Sequence, residues 1–346
     1  MKDILAETKL FRVVLYLGGL FACLHFVLWK AFIASRSADR ISIKLLLLPF
    51  ISLLSLTVTW KEIILFINEK AKGYPDLKTT FRQTEIVVEA YRSVTDSVEG
   101  YWWSSQLLMF TLVFIVFINT KARQISMPIP ELCAYIWIGF GGAISTSFSL
   151  FLYRYNVAIS METKRVEHHQ MSRWSIAVLA VCLWLGFLCI LFLYFSVDPA
   201  FKVYLLLTHL LLFLPCLLPS VHVRCYTTTA AKGLIPLIYA LLFIALACHH
   251  FYFTHLSIPD AHPKTFHNLF NAGFSHNCQA SISSDSVFCF ILCMLYLFLK
   301  SEKGSAVLAV VPLFFLSPCL SLGSAFALMM LHEECLLERN IGVKEE

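Results

Sequence analysis

Seven aspartates are spread along the chain, at Asp3, Asp39, Asp76, Asp96, Asp198, Asp260 and Asp285, and no two are close. Enzymes that ionise an isoprenyl diphosphate hold Mg²⁺ on paired carboxylates spaced D-D-x-x-D or N-D-x-x-D. Neither spacing occurs here, so that chemistry lacks its ligands. The nucleotide, serine-hydrolase and zinc-protease signatures G-x-x-x-x-G-K-[ST], G-x-S-x-G and H-E-x-x-H are missing as well. Six histidines, His249, His250, His255, His262, His267 and His276, crowd one stretch, but not at the H-x-x-x-H or H-x-x-H-H spacings of membrane di-iron oxygenases. They read as a polar stretch with interfacial ring contacts, and no metal or cofactor is expected.

Asp285 is the most informative carboxyl. It lies in "NCQASISSDSVFCFILCML", where Cys278, Ser281, Asp285 and Cys289 share one helix face. A helix beginning near 278 carries Asp285 about 10 Å into an apolar segment at about 1.5 Å per residue. A carboxyl partly withdrawn from water there can keep a proton and deliver it, and an ionisable group inside a span is a functional candidate by default. Ser281 and nearby Asn277 or His276 are its expected orienting partners. The competing reading makes Ser283 or Ser284 the helix cap, with Asp285 in the first turn.

Glu89 and Asp96 are the next candidate acids. They belong to a stripe of Arg82, Glu85, Glu89, Arg92, Asp96 and Glu99, with Val87, Tyr91, Val94, Val98 and Tyr101 on the opposite side. This pattern predicts one amphipathic helix at the interface, laced by Arg82–Glu85, Glu89–Arg92 and Arg92–Asp96 pairs. Trp102 and Trp103 follow. With Tyr101 they fit an interfacial aromatic belt, or line a pocket whose ring faces stabilise a cation; Tyr91 is a further candidate for substrate binding. His25 and His209 read as hydrogen-bonded core residues. Gly139, Gly142, Thr146 and Ser149 form a small-residue stripe suited to close helix packing.

The elements that must position these groups are membrane helices. Of the 346 residues, 58% are hydrophobic and 14% charged, with 30 phenylalanines and a mean hydropathy of +0.73. So much apolar surface cannot be hidden inside a water-soluble body of this size. Candidate spans lie at 10–29, 43–60, 102–120, 130–153, 174–196, 202–219, 234–254, 281–299 and 306–331, some interrupted, giving eight or nine crossings in one all-α integral membrane domain. If all nine cross, 17 of the 27 lysines and arginines fall on the side of the N-terminus, which predicts a cytoplasmic N-terminus. Most of the 12 cysteines sit in apolar stretches, as small hydrophobes. The net charge of +5 is spread without basic runs, which argues against a nucleic-acid partner. No internal repeat of the kind common in transporters is detected, although many spans contain proline, so a transporter remains the alternative class.

The stretches "EIVVEAYRSVTDSVEGYWWSSQLL" (85–108), "IPELCAYIWIGFGGAISTSFSLFL" (129–152), "HLLLFLP" (209–215) and "SISSDSVFCFI" (281–291), taken in order, carry a family likeness. The chain resembles the fungal membrane-bound terpene cyclases of meroterpenoid pathways, the group of the ascofuranone, ascochlorin and macrophorin cyclases. The likeness covers roughly residues 80–300. It implies a bundle of eight or so helices in the endoplasmic reticulum membrane, beside other membrane enzymes of one secondary-metabolite pathway. It also implies an isomerase-type reaction, in which an epoxide or alkene of a lipophilic prenylated substrate is protonated and its isoprenoid chain cyclised. Such a reaction needs a retained proton, an apolar mould and aromatic faces, but no diphosphate site. Turnover of a prenylated substrate is therefore expected to persist in EDTA. Loss on chelation, restored by Mg²⁺ or Fe²⁺, would overturn proton initiation.

Overall fold

The computed structural model describes residues 2–36, 42–161, 169–218, 220–222, 233–258, 263–300 and 320–342. It is a polytopic helical bundle, and seven of its described helical segments are long and apolar enough to cross a membrane. They comprise α1 (Lys2–Arg36), α2 (Leu47–Ala71, with a 3-10 turn before it), α5 (Val98–Gln124), α8 (Arg173–Phe195), α9 (Ala200–Phe213, continued as a 3-10 turn), α10 (Leu234–Ser257) and α12 (Asn277–Lys300). Shorter elements are α3 (Leu77–Gln83), α4 (Ile86–Ser93), α6 (Ile129–Gly141), α7 (Ile144–Met161), α11 (Pro263–Ala272) and α13 (Leu322–Gly342). His169–Met171 and Ser220–His222 form a three-residue antiparallel ladder. Most of the ninth candidate span, 306–331, lies outside the described residues.

The bundle is built around α5. Its apolar window is 83% buried, against 11% for α1, so α5 sees protein on all sides while α1 presents Phe11, Leu15, Phe21 and Trp29 outward. Phe110, Phe114 and Phe117 of α5 meet Phe148 of α7 and Phe326 of α13 at ring-centroid distances of 5.2–5.8 Å for the pairs that cross between helices. Such tilted and edge-on aromatic pairs add roughly 0.5–1.5 kcal/mol each beyond the area they bury.

The fourth span is not a span. Residues 130–153 form a hairpin, with α6 and α7 running antiparallel. Arg154 Nε donates to Glu131 at 3.0 Å, Ser147 Oγ donates to the Tyr135 carbonyl at 2.6 Å, and Tyr135 packs edge-on against Phe151. Thirteen residues reach only about 20 Å, two-thirds of a hydrocarbon core about 30 Å thick. The turn at Gly142–Ala143 therefore ends inside the bundle, and the chain returns to the side it came from. Glycine is required at the turn, since a Cβ on Gly142 would stand 2.8 Å from the Ile138 carbonyl oxygen. The small-residue stripe serves this packing. Ile144 and Ser147 close over Gly139, while Thr146 and Ser149 hydrogen-bond α2 through Ser55 Oγ (2.9 Å) and the Leu48 carbonyl (2.6 Å).

A hairpin changes the parity of every later crossing. With the other eight candidates crossing, 14 of the 27 basic residues fall on the side of Arg36 and Arg154 and 13 on the side of the N-terminus. The split is then nearly even, so the charge argument for a cytoplasmic N-terminus no longer carries an orientation.

The amphipathic helix over 82–99 is also corrected. Thr84 is extended (φ −101°, ψ 159°) and ends α3, and the Ser97 side chain accepts from the Gly100 N–H to start α5, leaving α4 as an eight-residue piece between. Asp76 caps α3, and the Thr79 N–H at 2.6 Å holds its carboxyl below the usual carboxylate range. The stripe charges pair with other elements instead of with each other. Arg82 meets Glu7, Glu85 meets Lys202, Glu89 meets Lys70 at 2.8 Å, and Arg92 meets Asp198 at 3.1 Å.

Single cysteines placed at Ile129 and Ser160, in a background with Cys248 and Cys335 replaced by serine, should react with an impermeant thiol reagent from one and the same face. A cysteine at Lys72 should react from the other. Opposite faces for 129 and 160 would restore a crossing fourth span.

Candidate functional site

A cavity of about 360 Å³ lies between the α3–α4 layer and the hairpin tip. Its wall is apolar and aromatic: Val13, Tyr16 and Leu17 of α1, Trp60, Ile63 and Phe66 of α2, and Ile86, Ala90 and Tyr91 of α4 with Val94 directly after it. Leu107, Leu108 and Thr111 of α5, Phe140 of α6, and Thr208, His209 and Leu212 of α9 close the remaining sides. Ile64 and Val87 line it while half-exposed at 50% and 43%, so the cavity opens outward past them. Of the hydrophobic stripe, Tyr91 and Val94 thus face this space, with Val87 at its mouth.

Asp285 forms part of the floor and is 5% exposed. Helix α12 begins at Asn277, so Asp285 stands in its third turn and Ser283 and Ser284 are not its cap. Asp285 is itself a cap, but of another helix. Its Oδ2 accepts from the Ile144 N–H at 2.8 Å; its Oδ1 accepts from the Ser145 N–H at 2.9 Å and from the Ser145 hydroxyl. These are orphan donors at the start of α7, which hydrocarbon could not satisfy. On the other side of the break the last carbonyls of α6 are satisfied too. Tyr16 donates to Gly141 O at 2.8 Å and Trp60 Nε1 to Gly142 O at 3.2 Å. Side chains from α1, α2 and α12 therefore seal a backbone break between two other helices.

A carboxylate offers about four lone-pair positions. Oδ1 spends both on Ser145, whereas Oδ2 spends one on Ile144. Among the described residues the second position of Oδ2 has no hydrogen-bond partner, and Asp285 lines the cavity.

A second polar group lines the same space. Tyr91 and His209 join at 3.1 Å between the phenol oxygen and Nε2, with their rings at right angles and centroids 5.6 Å apart. His209 Nδ1 lies 2.7 Å from the Leu205 carbonyl, which can only accept, so Nδ1 carries a proton. In the uncharged ring Nε2 is then an acceptor and Tyr91 donates to it. Burial, with smaller contributions from Tyr16 and Asp285, pushes the Tyr91 phenol far above its ordinary value, so it stays protonated.

The remaining sequence candidates are not gathered at this site. Ser281 does line the cavity, but donates to the Thr59 carbonyl at 3.0 Å, not to Asp285. Asn277 reaches Glu69 at 3.4 Å and His276 contacts the Ser93 carbonyl at 3.1 Å, so neither orients Asp285. Glu89 sits in its ion pair with Lys70 and Asp96 is exposed; neither touches the cavity. Trp102 donates to Thr254 at 2.8 Å, and Trp103 donates to the Leu269 carbonyl at 2.7 Å and packs on Phe270 and Phe274. Both look away from the cavity toward α10 and α11. His25 is exposed on α1, and His249 and His250 lie buried in α10 beside Tyr101 and Gln106. His262 lies outside the described residues.

Sequence reading passed over Tyr16, Trp60 and the cavity role of His209. The available signal was Gly141–Gly142 followed by Ser145 and Ser147, a helix stop and restart inside an apolar run. Comparison with protein-family models, curated proteins and solved structures finds no match.

Asp285→Asn should lower the stability of the detergent-solubilised protein by about 1–3 kcal/mol, because an amide NH₂ would face the Ile144 N–H or the Ser145 donors. Ser145→Ala, which removes a single donor, should cost about half as much. An unchanged melting midpoint for Asp285→Asn would show that the clamp carries no stability.

Proposed function

We propose that the chain is a membrane-bound terpene cyclase acting on a lipophilic prenylated substrate of meroterpenoid type, with the endoplasmic reticulum as its membrane. The observation that carries this reading is the cavity itself: an apolar, aromatic-walled space, open sideways, with one free carboxyl position on its floor. A prenyl chain enters from the bilayer past Ile64 and Val87 and is folded against Trp60, Phe66 and Phe140. Asp285 gives a proton from Oδ2 to an epoxide oxygen or alkene carbon, and the resulting cation is attacked by a neighbouring double bond to close the ring. Tyr16, Trp60 and Tyr91 offer π-faces that stabilise a cation without capturing it. A wall that holds the chain in a reactive fold contributes through orientation, the term worth most where the catalyst has few polar groups.

A second reading, transport, is favoured by a different observation. The α6–α7 break at membrane depth is the kind of discontinuity that many secondary transporters use at their binding sites. Against it stands the sealing of that break by Tyr16, Trp60 and Asp285, which leaves few free backbone groups for a solute.

Purified protein incubated with a prenylated phenol carrying a terminal epoxide should yield a cyclic isomer of unchanged mass. Recovery of the intact epoxide, together with protein-dependent movement of that compound across a liposome membrane, would replace the cyclase reading with the transport one.

A further inference from the structure

Cyclisation leaves a carbocation that must lose a proton or capture water, and Asp285 alone does not decide which. The cavity holds a second proton-handling group, on the opposite elements. Tyr91 comes from α4, above the space, and His209 from α9, beside it. Three features set this pair apart from a packing contact. The Leu205 carbonyl fixes the proton on Nδ1, so Nε2 is directed at the phenol. Phe140 covers the imidazole edge-on at 5.1 Å and holds the ring in place. Both residues line the cavity, and no carboxylate pairs with either among the described residues.

We infer that Tyr91 and His209 form the base that ends the reaction, with the phenol oxygen taking a proton from the carbon next to the cation while its own proton passes to Nε2. The inference rests on the cyclase reading. The balance closes without any co-reactant. A C–H bond breaks, its electron pair becomes the new C=C bond, and the phenol O–H is re-formed as the imidazole gains a proton. Asp285, having given up its proton, is left as a carboxylate, so the site holds one imidazolium and one carboxylate. Return of a proton from His209 to Asp285 restores the starting state. The product is an alkene isomer of the substrate, and its double-bond position is set by which hydrogen lies against Tyr91.

The test reads product ratios with the epoxidised prenyl-phenol as probe. Tyr91→Phe removes only the oxygen, and His209→Phe keeps a ring against Phe140 while removing both nitrogens. In each, the ratio of water adducts (mass raised by one water) and shifted alkenes to the native alkene should rise by about 100-fold, the low end of what a positioned general base contributes. A purely structural role would lower conversion of the probe without altering that ratio. An unchanged ratio in both variants overturns the inference and leaves the cyclase reading standing. A wild-type protein that does not convert the probe removes the cyclase reading and, with it, this assignment.

Discussion

Everything in this structure that could do chemistry depends on how a break in the backbone is satisfied at membrane depth. Hydrocarbon offers no water to free N–H and C=O groups, and each one left unpaired costs several kcal/mol. The α6–α7 turn exposes such groups at both ends. Asp285 takes the donors at the start of α7, and Tyr16 and Trp60 serve the carbonyls at the end of α6. Because these partners come from three separate helices, the hairpin fixes the spacing of α1, α2 and α12 around its tip. The cavity exists because the hairpin stops short of crossing. A continuous fourth helix would run through the space that the tip now floors.

The opposite wall is held by weaker means. Helices α3 and α4 have seven and eight residues. Isolated helices shorter than about 12–15 residues are marginal in water, so these two owe their form to what they pack on. Ion pairs tie them to α1, α2, α9 and the loop before α9. Half-exposed pairs of this kind contribute only about 0–1 kcal/mol each. Their effect is one of placement, keeping the face of Ile86, Ala90, Tyr91 and Val94 turned inward. Floor and roof thus differ in kind: the floor is fixed by buried hydrogen bonds with no alternative partners, and the roof by exchangeable surface charges. The roof is accordingly the part of the wall that opens at lower free energy.

The sequence showed the class of fold and the residue on the floor, but not how the two are joined. Apolar runs and their lengths gave seven helices directly, because burying or solvating twenty apolar residues leaves few options. The run 130–153 misled, since a hairpin buried in protein and a helix facing lipid demand the same composition. Only the Gly141–Gly142 pair hinted at the break. Asp285 stood out as a carboxyl in an apolar segment, yet its partners, Ile144 and Ser145, lie about 140 residues away along the chain. No local spacing can report such a contact. The stripe at 82–99 failed for the same reason. Charges three and four apart suit a helix, but here Lys70, Asp198 and Lys202 satisfy them across the fold. Trp102 and Trp103 were legible as an aromatic pair, and their direction was not.

One carboxyl asked both to hold the scaffold and to act on a substrate looks overcommitted until its two oxygens are considered separately. Oδ1 accepts from the N–H and hydroxyl of Ser145 and has no capacity left. Oδ2 accepts only from Ile144. In the proposed reaction the proton resides on the free position of Oδ2, and its departure breaks none of the three clamp bonds. When the proton leaves, the negative charge left behind faces the N-terminus of α7, whose dipole and free N–H groups favour an anion. The clamp is therefore strongest at the moment the cavity contains a cation, and the floor does not yield as charge develops above it. Scaffold and chemistry share the residue without competing for the same lone pair. The cost is that the acid cannot be moved or replaced without unseating the hairpin.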